Sequence, residues 1–452
     1  MGCRCTCGDV ALPRQDGPKA RHHTTGNSNC TTPANEARES LRKLTIVFHH
    51  AGGGHRSAAE ALKATLSILE NPWDVTLLDI QELLDPLDLI RRATGLRIQD
   101  TYNVILRKGW TRFTPQLLVV LKATIRIYHS AIVKLLRDYW AQHPADMVLS
   151  VIPHFNREIA ESIRSAGAGV AHTHAFATDA KLWGARPLGA PFMTPFVTLI
   201  TDLADYPPHF WIERESEFII VGTDRAREQA LAIGHAADHI FQTSGMILKP
   251  KFYENISVDR VVERKKLGLE PDSPTGIVLF GGHGSGVMIE IARKLSESGS
   301  GVQLILICGH NQKLAARLKK LQTGKPITVV GFAQNVEYYM ALADFFIGKP
   351  GPGSISEALQ FHLPVIVERN SRTLPQERYN AEWVTEKGYG IVLPTFREIA
   401  LAVQRLLQSA IFDEFRRKAS EYSNRALFEV PAILEQCAGN TAVAAVQHVQ
   451  FT

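Results

Sequence analysis

Apolar runs of four to six residues recur along the chain, separated by polar or glycine-rich turns. The first, Leu44-Thr45-Ile46-Val47-Phe48, is nearly continuous in apolar character, as a strand buried on both faces must be. After Gly52-Gly53-Gly54 the period becomes helical. Ala59, Leu62, Leu66 and Leu69 share one face of a segment from Arg56 to Leu69. A second strand at Val75–Asp79 completes a βαβ opening, which predicts parallel pairing and a right-handed crossover. Further strands are predicted at 146–150, 196–200 and 217–221. The pattern lapses over 245–257, which reads as an interdomain linker. It restarts at 276–280 and continues at 302–307, 327–330, 344–347 and 364–367, with helices after most of these strands. Three helical stretches follow from about Thr395, the last after Pro431. The expected fold class is α/β, with two Rossmann-like domains, 44–245 and 246–430, facing a central cleft. A disordered tail (1–43) and a helical tail (431–452) flank them.

Composition agrees with that division and narrows the partners. A chain of 452 residues is too long for one ordinary core, and 45% apolar with 21% charged residues is a soluble globular mixture. The net charge of +5 mildly favours anionic partners. Nucleotide phosphates, nucleic acid and an acidic membrane surface all qualify on that ground. The charge is also uneven. Residues 91–138 carry ten Lys and Arg against two acids, so that this stretch alone exceeds the charge of the whole chain. Its charges interrupt each apolar run before the ~20 residues that a membrane span requires. An amphipathic element lying on an anionic bilayer fits better, with Arg107, Lys108, Trp110, Arg112 and Phe113 as its contacts. The plainer alternative is a domain helix with one face in the core and a solvated basic face. Of six cysteines, only Cys308 and Cys437 lie beyond the first 30 residues, so the folded body has no disulfide framework and a reducing compartment is expected. Cys3-x-Cys5-x-Cys7 lacks partners at zinc spacing, and no metal site is expected. Met1-Gly2-Cys3-Arg4-Cys5-Thr6 has the form of a myristoylation signal, and no signal-peptide apolar segment is visible.

Three glycine-rich turns carry the candidate chemistry. Gly348-Lys349-Pro350-Gly351-Pro352-Gly353-Ser354 follows a strand and opens a helix expected to start at Ser354. Such a turn brings backbone amides and a helix N-terminus to an anion, and so suits phosphate. Glu357, one turn further in, suits a pair of sugar hydroxyls, or else completes a capping box with Ser354. Gly281-Gly282-His283-Gly284-Ser285-Gly286 is a second turn of this type and could cradle a diphosphate. Gly52-Gly53-Gly54-His55 is neither a P-loop nor a dinucleotide fingerprint. It places His55 at a helix N-terminus, where the imidazolium is disfavoured and a neutral ring can accept a proton.

The turn at 348–358 resembles the donor motif of monogalactosyldiacylglycerol synthases and bacterial diacylglycerol glucosyltransferases, in glycosyltransferase family 28. Gly52–Glu60 is a second match, and the resemblance runs with gaps from about Leu44 to about Leu427. It implies the GT-B architecture and an inverting transfer of galactose or glucose from UDP-hexose to a lipid hydroxyl, diacylglycerol above all. UDP-sugar serves as co-substrate, without a cofactor, metal or nucleic acid. It implies His55 as catalytic base and Gly282, Gly284, Gly286, Phe332, Ala333, Gly351, Gly353, Ser354, Glu357, Gln376 and Glu377 at the donor. Gly53, Gly54, His209 and Trp211 fall on the acceptor side. His283 and Pro375 stand where the family has glycine. The implied location is cytoplasmic, at the membrane periphery. The rivals are a lipid-linked N-acetylglucosaminyltransferase of cell-wall synthesis, a UDP-sugar epimerase, and a non-catalytic sugar-nucleotide-binding protein.

Overall fold

The computed structural model describes residues 41–50, 53–87, 114–170, 194–207 and 209–439, with side chains omitted at 114–115 and 167–170. The cysteine-rich start, Gly52, and the membrane candidates Arg107, Lys108, Trp110, Arg112 and Phe113 lie outside the described residues.

The first sheet comprises β1 (Lys43–Phe48), β2 (Asp74–Asp79), β3 (Met147–Ser150), β4 (Phe196–Leu199), β5 (Phe218–Val221) and β6 (Ile240–Gln242). Every pairing is parallel, in the order β2-β1-β3-β4-β5-β6. Its helices are α1 (Gly54–Leu66), α2 (Ile80–Leu84), α3 (Thr114–Gln142), α4 (Asn156–Val170) and α5 (Asp224–Ile233). The second sheet comprises β7 (Thr275–Leu279), β8 (Gln303–Ile307), β9 (Ile327–Val330), β10 (Phe345–Gly348), β11 (Val365–Glu368) and β12 (Gly390–Leu393), again all parallel. Their order is β12-β11-β10-β7-β8-β9. Around it lie α6 (Arg260–Lys266), α7 (Val287–Glu297), α8 (Gln312–Lys319), α9 (Val336–Ala341), α10 (Pro352–Gln360), α11 (Arg378–Lys387), α12 (Ile399–Leu406) and α13 (Ser409–Glu421), and α14 (Ala426–Cys437) follows them in the chain.

In each sheet the strand order reverses once, between β1 and β3 and between β7 and β10. Open parallel sheets bind ligands beyond the strand ends at such a switch point. The turn carrying His55 follows β1, and the two other glycine-rich turns follow β7 and β10. Topology therefore puts all three candidate turns at the two places where a ligand fits.

Two expectations change on the fold. The division at 430/431 falls inside α14, and Pro431 stands within that helix rather than before it. The apolar face of α14 (Leu427, Val430, Leu434, Cys437) joins the core of the first domain, among residues such as Leu62 and Leu149. Glu435 accepts from Arg42 at 2.6 Å and from the Trp73 indole at 2.8 Å, which pins the helix to the first sheet's edge. The chain thus returns to its starting domain. The linker is packed too, for Met246, Leu248 and Phe252 are buried in the second domain's core beside Leu203 and Ala204 of the first.

Helix α3 holds the end of the basic stretch. Gln116–Gln142 is long and apolar enough to cross a bilayer by length and composition, against the expectation that charges would break it. One face nonetheless packs inward through Leu118, Ile125, Ile132, Leu136 and Trp140. The opposite face exposes Val119 (68%), Val120 (60%) and Ile127 (79%).

Candidate active site

Gly53 caps α1 with φ +81°, a left-handed conformation that glycine adopts without strain. That turn carries the chain from β1 into α1 and presents His55 one residue into the helix. Its Nδ1 lies 2.9 Å from Thr201 Oγ1, in the loop after β4. The rings of His49 and Trp211 sit 4.5 Å and 5.5 Å from it, centre to centre. Burial lowers the His55 pKa to about 4, opposed in part by the Val151 backbone. Desolvation thus keeps the ring neutral. Burial likewise lowers His49. At neutral pH this side of the cleft holds uncharged imidazole, able to accept a proton.

The loop after β4 supplies what the sequence reading left out. Asp202 accepts from the Trp211 indole at 2.8 Å, and burial raises its pKa to about 7. Its charged neighbours include Glu377 and Lys349 of the second domain, so the loop beside His55 faces the donor-side turns. Trp211 is fully buried. Its ring tilts against that of His55, and its indole holds Asp202. His209 is exposed, with φ +60°, and its N–H donates to Asp205 Oδ2 at 3.0 Å. Asp205 also accepts from Trp211 N–H at 2.6 Å, which fixes this loop.

Across the cleft, α10 begins at Pro352 with Gly351 as its cap, so Ser354 is the helix's third residue. A capping box needs the serine at the cap, and Glu357 is therefore not half of one. Burial raises Glu357 to about 7, with Lys249 and Glu337 as its charged neighbours. Lys349 Nζ lies 2.5 Å from Glu377 Oε1, in the short turn Pro375–Glu377 that also holds Gln376. Asn380 donates to the Pro350 carbonyl at 2.8 Å, locking that run onto the glycine turn. The turn after β7 is crossed closely by the next one. A β-carbon on Gly309 (φ +58°) would sit 2.1 Å from the Gly282 carbonyl, so only glycine fits there. Gly282, Gly286 and Gly353 instead have open space around the β-carbon position. Phe332 is 56% exposed and stacks on His310 at 4.0 Å, while Ala333 packs on the core.

The structure thus gathers Gly282–Gly286, Lys349–Ser354 and Gln376–Glu377 at the second sheet's switch point, and Gly53–His55 with the 201–211 loop at the first. Sequence reasoning held Lys349 within the donor turn and Thr201-Asp202 at a strand end without a role for any of them, and it passed over the imidazole of His49. Each follows a strand, but only the strand order shows which strand ends meet.

Two parallel domains with glycine-rich turns at both switch points make this a two-domain α/β fold of the GT-B type. MurG of Acinetobacter baumannii superposes with a TM-score of 0.56, at 12% identity over 88% of this chain and all of that one. The UDP complex of Staphylococcus aureus MnaA gives 0.53, at 13% identity over 88% and 98%. Residues 277–435 match the glycosyltransferase family 28 C-terminal domain. In sequence the chain is similar to monogalactosyldiacylglycerol synthases. It is 27% identical to the probable monogalactosyldiacylglycerol synthase 2, chloroplastic, of Oryza sativa subsp. japonica over 82% of this chain and 75% of that protein. Identity is 26% to monogalactosyldiacylglycerol synthase 2 of Arabidopsis thaliana (81% and 74%), and 26% to the Spinacia oleracea synthase (81% and 66%).

Proposed function

We propose that the protein transfers a hexose, galactose or glucose, from UDP-hexose to the hydroxyl of diacylglycerol at a membrane surface, with inversion at the anomeric carbon. The observation that carries this reading is the approach of Asp202, beside His55, to Lys349 and Glu377 among the donor turns. Glycine-turn amides, the α7 and α10 N-termini and Lys349 offset the charge of the departing diphosphate. Glu357 holds the ribose, Gln376 and Glu377 the hexose hydroxyls, and Phe332 and Ala333 the base. His55 takes the proton of the acceptor hydroxyl as it attacks the anomeric carbon from the face opposite UDP. The bond to the diphosphate breaks as the glycosidic bond forms, so the configuration inverts and UDP leaves as the anion.

The fold neighbours include MurG and the UDP complex of MnaA, so fold alone leaves the rival readings open. The sequence relatives are named galactolipid synthases, and that favours the lipid glycosyl transfer. The exposed valines and isoleucine of α3, beside Lys122 and Arg126, support peripheral attachment to an anionic bilayer. The test is a transfer assay with labelled UDP-galactose and UDP-glucose against vesicles of diacylglycerol, and against polyprenyl-linked acceptor. Labelled glycosyl-diacylglycerol supports the reading. Label in the polyprenyl lipid alone, or only an epimerised donor, overturns it.

A further inference from the structure

The acceptor side holds a second imidazole that the reaction above does not use. His154 lies in the loop after β3, across the first sheet's switch point from His55. Its φ is +75°, and Phe155 N–H donates to the Pro153 carbonyl at 3.0 Å. Together these describe a γ-turn of the rare, strained type, with a β-carbon where glycine or asparagine would rest more easily. The ring carries a second cost. Nδ1 is sealed from solvent and has no hydrogen-bond partner among the described residues.

The surroundings hold this strained turn in place. His154 N–H donates to the Phe210 carbonyl at 2.8 Å, and its ring meets the edge of Phe210 at 4.3 Å. Asn156 donates to the Trp211 carbonyl at 2.8 Å, tying the same turn to the aromatic loop. Lys122 and the neutral imidazole of His55 are its titratable neighbours, and burial lowers its pKa to about 3, so the ring is neutral. With Nδ1 walled off, Nε2 is the nitrogen left to meet a ligand. A turn kept only for packing would not need an imidazole at its most strained residue, and strain of this kind gathers at ligand sites.

We propose that His154 is an acceptor-recognition residue: its Nε2 donates a hydrogen bond to a second oxygen of a polyol-ester acceptor while His55 takes the proton of the reacting hydroxyl. The proposal rests on the lipid glycosyl-transfer reading. It adds that the acceptor is read at two oxygens, so a lipid offering one hydroxyl and no ester is a poorer substrate.

Two variants of the full chain test this, His154→Gly and His154→Asn, since both residues tolerate the left-handed turn. Each is assayed with diacylglycerol vesicles and with a long-chain primary alcohol in the same vesicles. The expected result is an acceptor KM about tenfold higher for diacylglycerol, with kcat little changed. The preference for diacylglycerol over the alcohol falls by a similar factor, while calorimetric UDP affinity and Tm are retained. A folded variant with wild-type KM and wild-type preference overturns the proposal, and if the glycine variant does not fold the asparagine variant decides. Wild-type transfer to diacylglycerol alongside such a result leaves the functional reading standing. Absence of any wild-type transfer to either lipid sinks both.

Discussion

The hydrogen bond between His55 Nδ1 and Thr201 Oγ1, 2.9 Å long, joins the first turn of α1 to the loop after β4. It sets the orientation of the imidazole proposed as base. It also couples that ring to the residue next to Asp202, which faces Lys349 and Glu377 of the other domain.

Removing that bond should misorient the base without touching the donor. Thr201→Val is expected to lower kcat roughly tenfold and to leave UDP affinity unchanged, and Thr201→Ser to recover most of the loss. Steady-state kinetics with calorimetry check this, and a valine variant at wild-type kcat would detach Thr201 from the reaction.

His55→Ala should cut turnover by ~10²–10⁴-fold, the usual scale of a lost general base. The pH profile is the sharper measurement. With a pKa lowered to about 4, the ring stays neutral throughout the range where free histidine titrates, so kcat/KM should have no acid limb near 6.5. Stability follows the same sign. The unfolded ring takes up a proton near 6.5 and the folded one only near 4, so acidification through that window destabilises the wild type. His55→Ala should be less sensitive there, as followed by Tm against pH.

Glu357 presents the opposite case. Its folded pKa of about 7 lies above the ordinary 4.5, so the stability tied to its protonated form is lost as pH rises between those values. Glu357→Gln should therefore raise Tm at alkaline pH while weakening UDP-sugar binding about 10- to 100-fold, the scale of a lost charged hydrogen-bond pair. Calorimetry showing unchanged donor affinity would reduce Glu357 to a buried structural acid.

For the membrane, Val119→Ser, Val120→Ser and Ile127→Ser combined should lower vesicle binding and leave UDP affinity alone, because these side chains are already exposed. Sedimentation with vesicles of rising phosphatidylglycerol content is the check. Binding should rise with anionic lipid and fall with salt.

Ten of the twelve strands could be read from apolar runs, because both sheets are parallel and bury both strand faces. The two left out, Ile240–Gln242 and Gly390–Leu393, are short edge strands with little apolar run to mark them. Glycine turns marked the donor side well, since their backbone requirement is written in the residue type. Pro352 at the first position of α10 was legible in principle, yet Ser354 drew the helix start two residues late. His154 and Asp202 could not be singled out, for nothing local distinguishes them. Their meaning comes from strand order, which brings the ends of β1, β3 and β4 together. The return of α14 to the first core was hidden for the same reason, since an apolar helix face does not name its partner.

The most direct test of the account is the anomeric configuration of the product. Wild-type protein incubated with α-linked UDP-hexose and diacylglycerol vesicles should give a β-linked glycolipid, read from the anomeric proton coupling by NMR. In-line attack by a hydroxyl deprotonated at His55 admits no other outcome. An α-linked glycolipid would contradict it.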